Sequence, residues 1–393
     1  MNARADAPDS GFVAARRQAH AATTPRARIA LLGTGTVGRA VLERLASWEG
    51  AAFGGTLQLV HVANSRIAVS NAEGLCVRQA ALELGAARVS ESALHAAAHG
   101  RRLSPTPSEL AVVTNALGRQ GCRIVVDATA SEAVAEQHAR WLASGVHVVT
   151  ACKLGQGTSL VRWRAIREAI ESGAHYGDSA TVGAGLPLLR SLRELQAGGD
   201  RIHGIAGILS GSMAWLFNQY DGMRPFSSLV RQARDAGYTE PDPRDDLSGE
   251  DVRRKTVILA RAAGFEIEPR DVEVDSLVPR ELALLSKDAI DAALPALDEP
   301  LRRRFAEAYK KGEKLRFVAR LEHEDGKCHA RVGLDALPAD HPLAAGAGTD
   351  NKVAIWSDRY RTQPLVIQGP GAGAEVTAAG LLDDALRCAR ANA

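Results

Sequence analysis

From Arg28 onward the chain alternates short, uniformly apolar runs with stretches whose apolar residues recur every three or four positions, and glycine marks many of the joints. The uniform runs predict buried strands at 28–32, 57–63, 123–127 and 146–150, while Val37, Val41 and Leu45 predict a helix after the first of them. Helices follow at 131–144 and 159–172, ended by Gly145 and Gly173. A glycine that stops a helix just before a strand is the left-handed terminator expected in a parallel α/β unit. After Ala174 the texture changes. Thr181 to Pro187 reads T-V-G-A-G-L-P, a small-residue turn leading to a helix; 201–209 is strand-like, and Ser210-Gly211-Ser212 opens a helix through Trp215 and Phe217. A further helix spans 227–236 and stops at Gly237. Strands at 315–321, 329–334, 352–356 and 365–368 suggest a sheet with antiparallel members, and a last helix runs from Glu375 toward Cys388.

The turn after the first strand reads G-T-G-T-V-G from Gly33 to Gly38. In a strand–turn–helix context, Gly33 permits the tight turn, Gly35 lets backbone N–H groups approach a pyrophosphate, and Gly38 lets helix and strand pack closely. The N-terminus of that helix, at Thr36 and Val37, offers the positive end of its dipole to an anion. The second strand ends in Asn64-Ser65-Arg66, where a strict NAD binder would carry an acid for the ribose 2′-hydroxyl. Arg66 could meet a 2′-phosphate, which favours NADP with NAD still admitted, or it could simply be solvated. The expected fold is α/β. A Rossmann-type dinucleotide-binding domain covers 27–173, a second α+β domain for substrate and dimerisation covers 174–363, and 364–393 returns to the first domain. Residues 1–26, rich in Ala, Arg, Thr and Pro without an apolar segment, are expected to be a disordered lead-in.

The 393 residues are 46% hydrophobic and 24% charged with a net charge near +2, which fits a globular chain of two substantial domains. There is no basic block of the size nucleic acid requires and no apolar run of the roughly 20 residues a bilayer requires, so neither partner is expected. Five scattered cysteines without a C-x-x-C pair suit a reducing cytoplasm. His95 and His99 have the i, i+4 spacing of a metal pair but no third ligand nearby, and no metal site is assigned there.

The densest chemistry lies between Gly237 and Lys255, G-Y-T-E-P-D-P-R-D-D-L-S-G-E-D-V-R-R-K. Pro241 and Pro243 stiffen the first part, so its acids ride on a constrained loop. From Leu247 a helix is expected, with Ser248 as N-cap and Asp251 at N3 of a capping box. On its wheel Val252, Thr256, Leu259 and Ala263 share one face, Arg253, Arg254, Val257 and Arg261 the opposite one, and Asp251 and Lys255 fall on the border. Asp251 and Lys255 are thus either a cap and its surface partner or a charged pair at the rim of a cleft that grips a small zwitterion. Lys153, just past the carboxyl end of a strand, is either an ordinary loop lysine or stands where open α/β sheets bind ligands. Gly369-Pro370-Gly371-Ala372-Gly373 forms a second glycine turn, either a plain loop or a close approach of backbone to ligand.

Taken in chain order, the glycine turn, Lys153, T-V-G-A-G-L-P, I-x-G-I-L-S-G-S from Ile205, the acidic stretch and G-A-G-x-x-V-T-A-A-G from Gly371 resemble homoserine dehydrogenases. The likeness is strongest to the dehydrogenase half of the bifunctional aspartokinase/homoserine dehydrogenases, without a kinase, from about Ala27 to the C-terminus. It implies reversible hydride transfer between NAD(P)H and aspartate 4-semialdehyde, giving homoserine, by a cytoplasmic homodimer in the synthesis of threonine, methionine and isoleucine. Glu240 and Asp246 would hold the substrate, Glu240 nearest its ammonium, with Thr181 and Gly183 beside them. Lys153 and Lys255 would be the two lysines at the reacting oxygen, and Asp251 would orient Lys255. The cofactor would meet Gly33, Gly35, Thr36, Val37, Gly38, Asn64, Arg66, Thr129, Lys153 and Gly371. Lysine suits this reaction, because an ammonium can stabilise negative charge growing on an aldehyde oxygen and then protonate it.

Three positions depart from the family pattern. Cys152 replaces the Asn usual before the first lysine, Ser179 replaces an acid near the monovalent cation site that some members build, and Trp215 stands where Tyr is more usual. They leave a dehydrogenase of another small amino or hydroxy acid, or a non-catalytic dinucleotide sensor, as alternatives. Beside Lys153 the Cys152 thiolate should be stabilised, so loss of activity on mild oxidation or alkylation, with protection by cofactor, is expected. Single-function relatives continue into a small regulatory domain, for which the sequence leaves no room, so feedback through such a domain is not expected.

Overall fold

Strands that are apolar on both faces need helices above and below them, and the first half of the chain supplies both. A computed structural model of the chain describes residues 26–49, 51, 54–86, 103–324 and 326–392. The expected lead-in, but for Arg26, and the pair His95 and His99 lie outside the described residues. Seven strands, Ala27–Leu32 (β1), Leu57–Ala63 (β2), Ile67–Ser70 (β3), Thr106–Pro107 (β4), Arg123–Asp127 (β5), His147–Thr150 (β6) and Tyr176–Gly177 (β7), form one sheet in the order β4-β3-β2-β1-β5-β6-β7. The pairs from β2 through β7 are parallel, and β3 and β4 add an antiparallel edge. Helices Thr36–Ser47 (α1), Glu132–Ala143 (α2) and Leu160–Ile170 (α3) accompany these strands. Ser131 and Ser159 cap α2 and α3, each accepting a backbone N–H from three residues on. Gly145 and Gly173 follow these helices at φ of +72° and +97°, as their positions before strands predict.

The second half continues with Leu188–Ala197 (α4), Ile202–Ile208 (β8), Gly211–Gln219 (α5), Phe226–Asp235 (α6), Arg244–Leu247 (α7), Glu250–Ala262 (α8), Val272–Val274 (β9), Asp298–Lys310 (α9), Lys314–Glu324 (β10), Lys327–Leu337 (β11), Asn351–Ser357 (β12), Leu365–Gly369 (β13) and Ala374–Ala391 (α10). Its sheet runs β13-β12-β8-β10-β11-β9 and is antiparallel except where β11 meets β9. The mixed architecture, a parallel dinucleotide-type sheet followed by an α/β unit with a mainly antiparallel sheet, is the α/β class the sequence predicts. Neither β9 nor α9 was predicted; in α9 only Leu301 and Ala308 are buried, so its apolar face is too thin to read. The last helix returns to the first sheet. Ala378, Leu381, Leu382 and Ala385 of α10 share a core with Ile29 and Leu31 of β1 and with Val41 and Leu45 of α1.

Candidate active site

A cleft of about 950 Å³ lies where the carboxyl ends of β5 and β6 face the loops around α5, α7 and α8. Its walls bring together Thr36, Val37, Thr129, Lys153, Thr181, Gly183, Glu240, Asp246, Asp251, Lys255 and Gly371, residues that span most of the chain. Gly33, Gly35, Gly38, Asn64 and Arg66 are not among its lining residues. They adjoin one another, because Gly33 N–H donates to the Ala63 carbonyl at the end of β2.

The start of α8 differs from the predicted capping box. Gly249, at φ +77°, takes the N-cap position with no side-chain cap, and Ser248 instead accepts the Glu250 N–H at 3.3 Å. A left-handed N-cap residue favours glycine. Asp251, freed from capping, lies in the first turn with its carboxylate between two ammonium groups: Lys255 Nζ at 2.8 Å from Oδ2 and Lys153 Nζ at 3.2 Å from Oδ1. Lys255 also donates to the Leu209 carbonyl at 2.7 Å. Lys255 lines the cleft but is itself buried, and the wheel also errs on the opposite face, where Val257 and Arg261 are both buried. Arg261 survives there because its guanidinium donates to the backbone carbonyls of Gln156, Thr158 and Ile267.

Burial lowers the Lys255 ammonium below the ordinary lysine range, with Asp251 opposing that shift and Lys153 adding to it. Burial acts to raise the Asp251 carboxyl, but Lys255 and Lys153 together hold it well below the usual carboxylate range. The trio therefore presents a fixed anion flanked by two proton-bearing groups, one of which is tuned toward releasing its proton. Such an arrangement can stabilise an oxyanion and exchange a proton with it.

The acids of the stiff loop form a second group. Asp246 accepts the Ser212 hydroxyl at 2.6 Å and the Glu240 N–H at 2.8 Å, and burial raises its carboxyl. Glu240 is exposed at the cleft wall. Thr181 is buried, and its hydroxyl donates to the Asp178 carbonyl at 2.8 Å. In the same turn Ala184 takes φ +52°, the one positive value away from glycine among the described residues. Ser212 and Leu209, which hold Asp246 and Lys255, are absent from the sequence reading as site residues. Ser210 and Ser212 were legible as a helix start, and Ser210 does cap α5, but the bond from Ser212 to Asp246 joins separate elements and leaves no local signature.

The first turn of α1 fits a dinucleotide phosphate. Gly35 has open space where a side chain would begin, and no side chain caps the helix. Gly38 allows this geometry, since a Cβ there would stand 1.9 Å from the Gly33 carbonyl oxygen. Asn64 accepts the N–H groups of Arg66 and Ile67, which fixes the turn and leaves Arg66 exposed.

Cys152 reverses the expectation of an activated thiol. It is only 2% exposed, and burial, aided by the Asp127 carboxylate, pushes its thiol up to about 12 against a weaker pull from Lys153. Brief treatment of the native protein with iodoacetamide should leave Cys152 unmodified while exposed Cys76 reacts, as peptide mass spectrometry would read. Early carboxamidomethylation of Cys152 with loss of activity would contradict this account. At the neighbouring turn, Asp178 is buried in a bidentate pair with Arg193 at 2.6 and 2.5 Å and also accepts from Gln156, while Ser179 binds Asp384. Trp215 packs against Tyr238 with ring centroids 5.3 Å apart.

The chain has relatives among known proteins. The family model for homoserine dehydrogenase matches residues 187–386, and that for the homoserine dehydrogenase NAD binding domain matches 33–176. The chain is 47% identical to bifunctional aspartokinase/homoserine dehydrogenase 2 of Escherichia coli over 68% of its own length and 33% of the relative's. It spans about a third of the length of the bifunctional relatives it matches. It is 39% identical to a homoserine dehydrogenase of Paracoccidioides brasiliensis, covering 68% of this chain and 74% of the fungal one. A solved hyperthermophilic archaeal homoserine dehydrogenase in complex with NADPH shares the fold at a TM-score of 0.67 and 20% identity, over 93% of this chain and 98% of that one. With both of its halves matched by the same family's models, and a fungal member similar along most of its length, the chain belongs to the homoserine dehydrogenase family.

Proposed function

We propose that this cleft catalyses the reversible, NADP-linked oxidation of L-homoserine to aspartate 4-semialdehyde. The observation that carries the reading is the Asp251 carboxylate bridging Lys153 and Lys255 at the cleft wall. The nicotinamide cofactor, when bound, accepts or supplies the hydride. The protein's part is the other half of the chemistry. Neutral Lys255 takes the hydroxyl proton during oxidation, and protonated Lys255 returns it during reduction. Lys153 supplies positive charge to the oxygen, and Asp251 orients both lysine side chains toward it. Glu240, with Asp246 behind it, meets the ammonium of the amino acid, while Thr181 and Gly183 shape the floor. On the cofactor side, the N–H groups at Thr36 and Val37 would hold the pyrophosphate, and Thr129 and Gly371 would contact the cofactor from the cleft wall.

The same reading takes NADP over NAD, through Arg66, and a cytoplasmic homodimer as the working form. Asp178 is committed to Arg193 and Gln156, so a monovalent cation at this turn would draw its ligands from backbone carbonyls. Arg66→Ala should raise the KM for NADP by about tenfold, the worth of one charge-assisted phosphate contact, and leave that for NAD unchanged. Equal KM changes for the two cofactors would remove Arg66 from the 2′-phosphate. Substrate choice is tested by comparing kcat/KM for L-homoserine with that for 4-hydroxybutyrate, which lacks the ammonium. A marked preference for homoserine is expected, and parity would contradict the role of Glu240.

A further inference from the structure

Behind the turn that carries Lys153 lies a buried polar chain to which the roles above assign nothing. Asp127, at the carboxyl end of β5, is fully buried, and its carboxylate accepts four hydrogen bonds. The Thr129 N–H at 2.9 Å and hydroxyl at 2.6 Å reach Oδ1; the Thr150 hydroxyl and His138 Nε2, each at 3.0 Å, reach Oδ2. These fill the acceptor capacity of a carboxylate. His138 of α2, also fully buried, meets the Tyr176 hydroxyl of β7 through its other ring nitrogen at 2.9 Å. Burial, with Asp178 and Asp127 adding to it, raises the Tyr176 hydroxyl well above its ordinary value, so it remains a donor. Because a carboxylate only accepts, His138 Nε2–H donates to Asp127, and in the neutral imidazole Nδ1 then accepts from the Tyr176 hydroxyl.

Two contacts connect this chain to the Lys153 turn. The Thr150 hydroxyl, held by Asp127, also accepts the N–H of Cys152 at 2.8 Å, one residue before Lys153. Further along the turn, a Cβ on Gly155 would stand 2.5 Å from the Tyr176 oxygen and 2.9 Å from His138 Nδ1, so the backbone rests directly on that pair. Gly157 N–H then closes the turn on the Lys153 carbonyl at 2.7 Å. Thr129, on the neighbouring loop, lines the cleft itself.

We propose that Asp127, His138 and Tyr176 are positioning residues for Lys153, fixing the turns after β5 and β6 so that the Lys153 ammonium is held against Asp251 in the cleft. This rests on the proposed function only for its activity readout. The test uses the full chain in three variants. His138→Leu removes both ring nitrogens, His138→Gln keeps an N–H for Asp127, and Tyr176→Phe removes one hydroxyl. The rate of acylation of Lys153, read by peptide mass spectrometry against exposed Lys310 as internal reference, reports the lysine's setting without requiring turnover.

His138→Leu and Tyr176→Phe should change Lys153 labelling relative to Lys310 severalfold, and His138→Gln should restore it toward wild type. With homoserine and NADP, kcat should fall at least about tenfold in His138→Leu at little-changed KM, since a displacement of about 1 Å in a reacting group is costly, and should recover in His138→Gln. Wild-type labelling in both His138→Leu and Tyr176→Phe would overturn the proposal, as would a His138→Gln protein as altered as His138→Leu. Should His138→Leu not fold, unchanged labelling in Tyr176→Phe alone would overturn it. A wild-type protein inert toward homoserine would refute the proposed function, and the labelling comparison would still decide this inference.

Discussion

Lys255→Ala should lower kcat for homoserine oxidation by about 10³-fold, within the range for losing a positioned acid–base group and a charge at the reacting oxygen. Binding of NADP should change little, because Lys255 lies on α8 and the phosphate-binding elements lie on α1. The pH profile carries the sharper signature. Burial lowers the Lys255 ammonium, so the neutral amine needed to accept the hydroxyl proton becomes available below the ordinary lysine range. Homoserine oxidation should therefore rise with pH along a limb that sits below ordinary lysine titration, and that limb should vanish in Lys255→Ala. A variant that kept wild-type kcat would remove Lys255 from the chemistry.

The second large effect is expected at Asp251. Asp251→Asn keeps the size of the side chain but removes the charge that both lysines share at 2.8 and 3.2 Å. Because Asp251 acts on Lys255 against burial, its loss should depress the Lys255 ammonium further. The rising limb of the oxidation profile should move to lower pH, while kcat on the plateau falls about 10²-fold as the lysines lose their common anchor. Profiles of log(kcat/KM) for wild type and Asp251→Asn measure both. A limb at the wild-type position would mean that Asp251 does not set the state of Lys255.

The parts of this site that were readable in the sequence are those fixed by local backbone rules. Gly33, Gly35 and Gly38 are spaced by the geometry of one turn, and a Cβ at Gly33 or Gly38 would clash with backbone, which is why only glycine fits there. Strand ends and glycine-terminated helices likewise follow from patterning, which sets Lys153 in the turn after β6. Readings failed where tertiary contacts override local preference. Ser248 looks like a cap, but the left-handed Gly249 holds that position, which releases Asp251 to the two lysines. Arg261 looks solvent-facing on a wheel, yet backbone carbonyls of distant loops bury it. Cys152 looks activated beside Lys153, yet burial outweighs the neighbouring charge. Asp127, His138 and Tyr176 carry no local signal, because their chain joins β5, α2 and β7 only after the sheet has formed.

Whether the bridged lysines serve homoserine is most directly tested by adding L-homoserine to the purified full chain with NADP and following formation of the reduced nicotinamide. The account predicts homoserine-dependent reduction of NADP by wild type that is lost in Lys255→Ala. Absence of homoserine-dependent reduction of either NADP or NAD by the folded wild-type protein would contradict it.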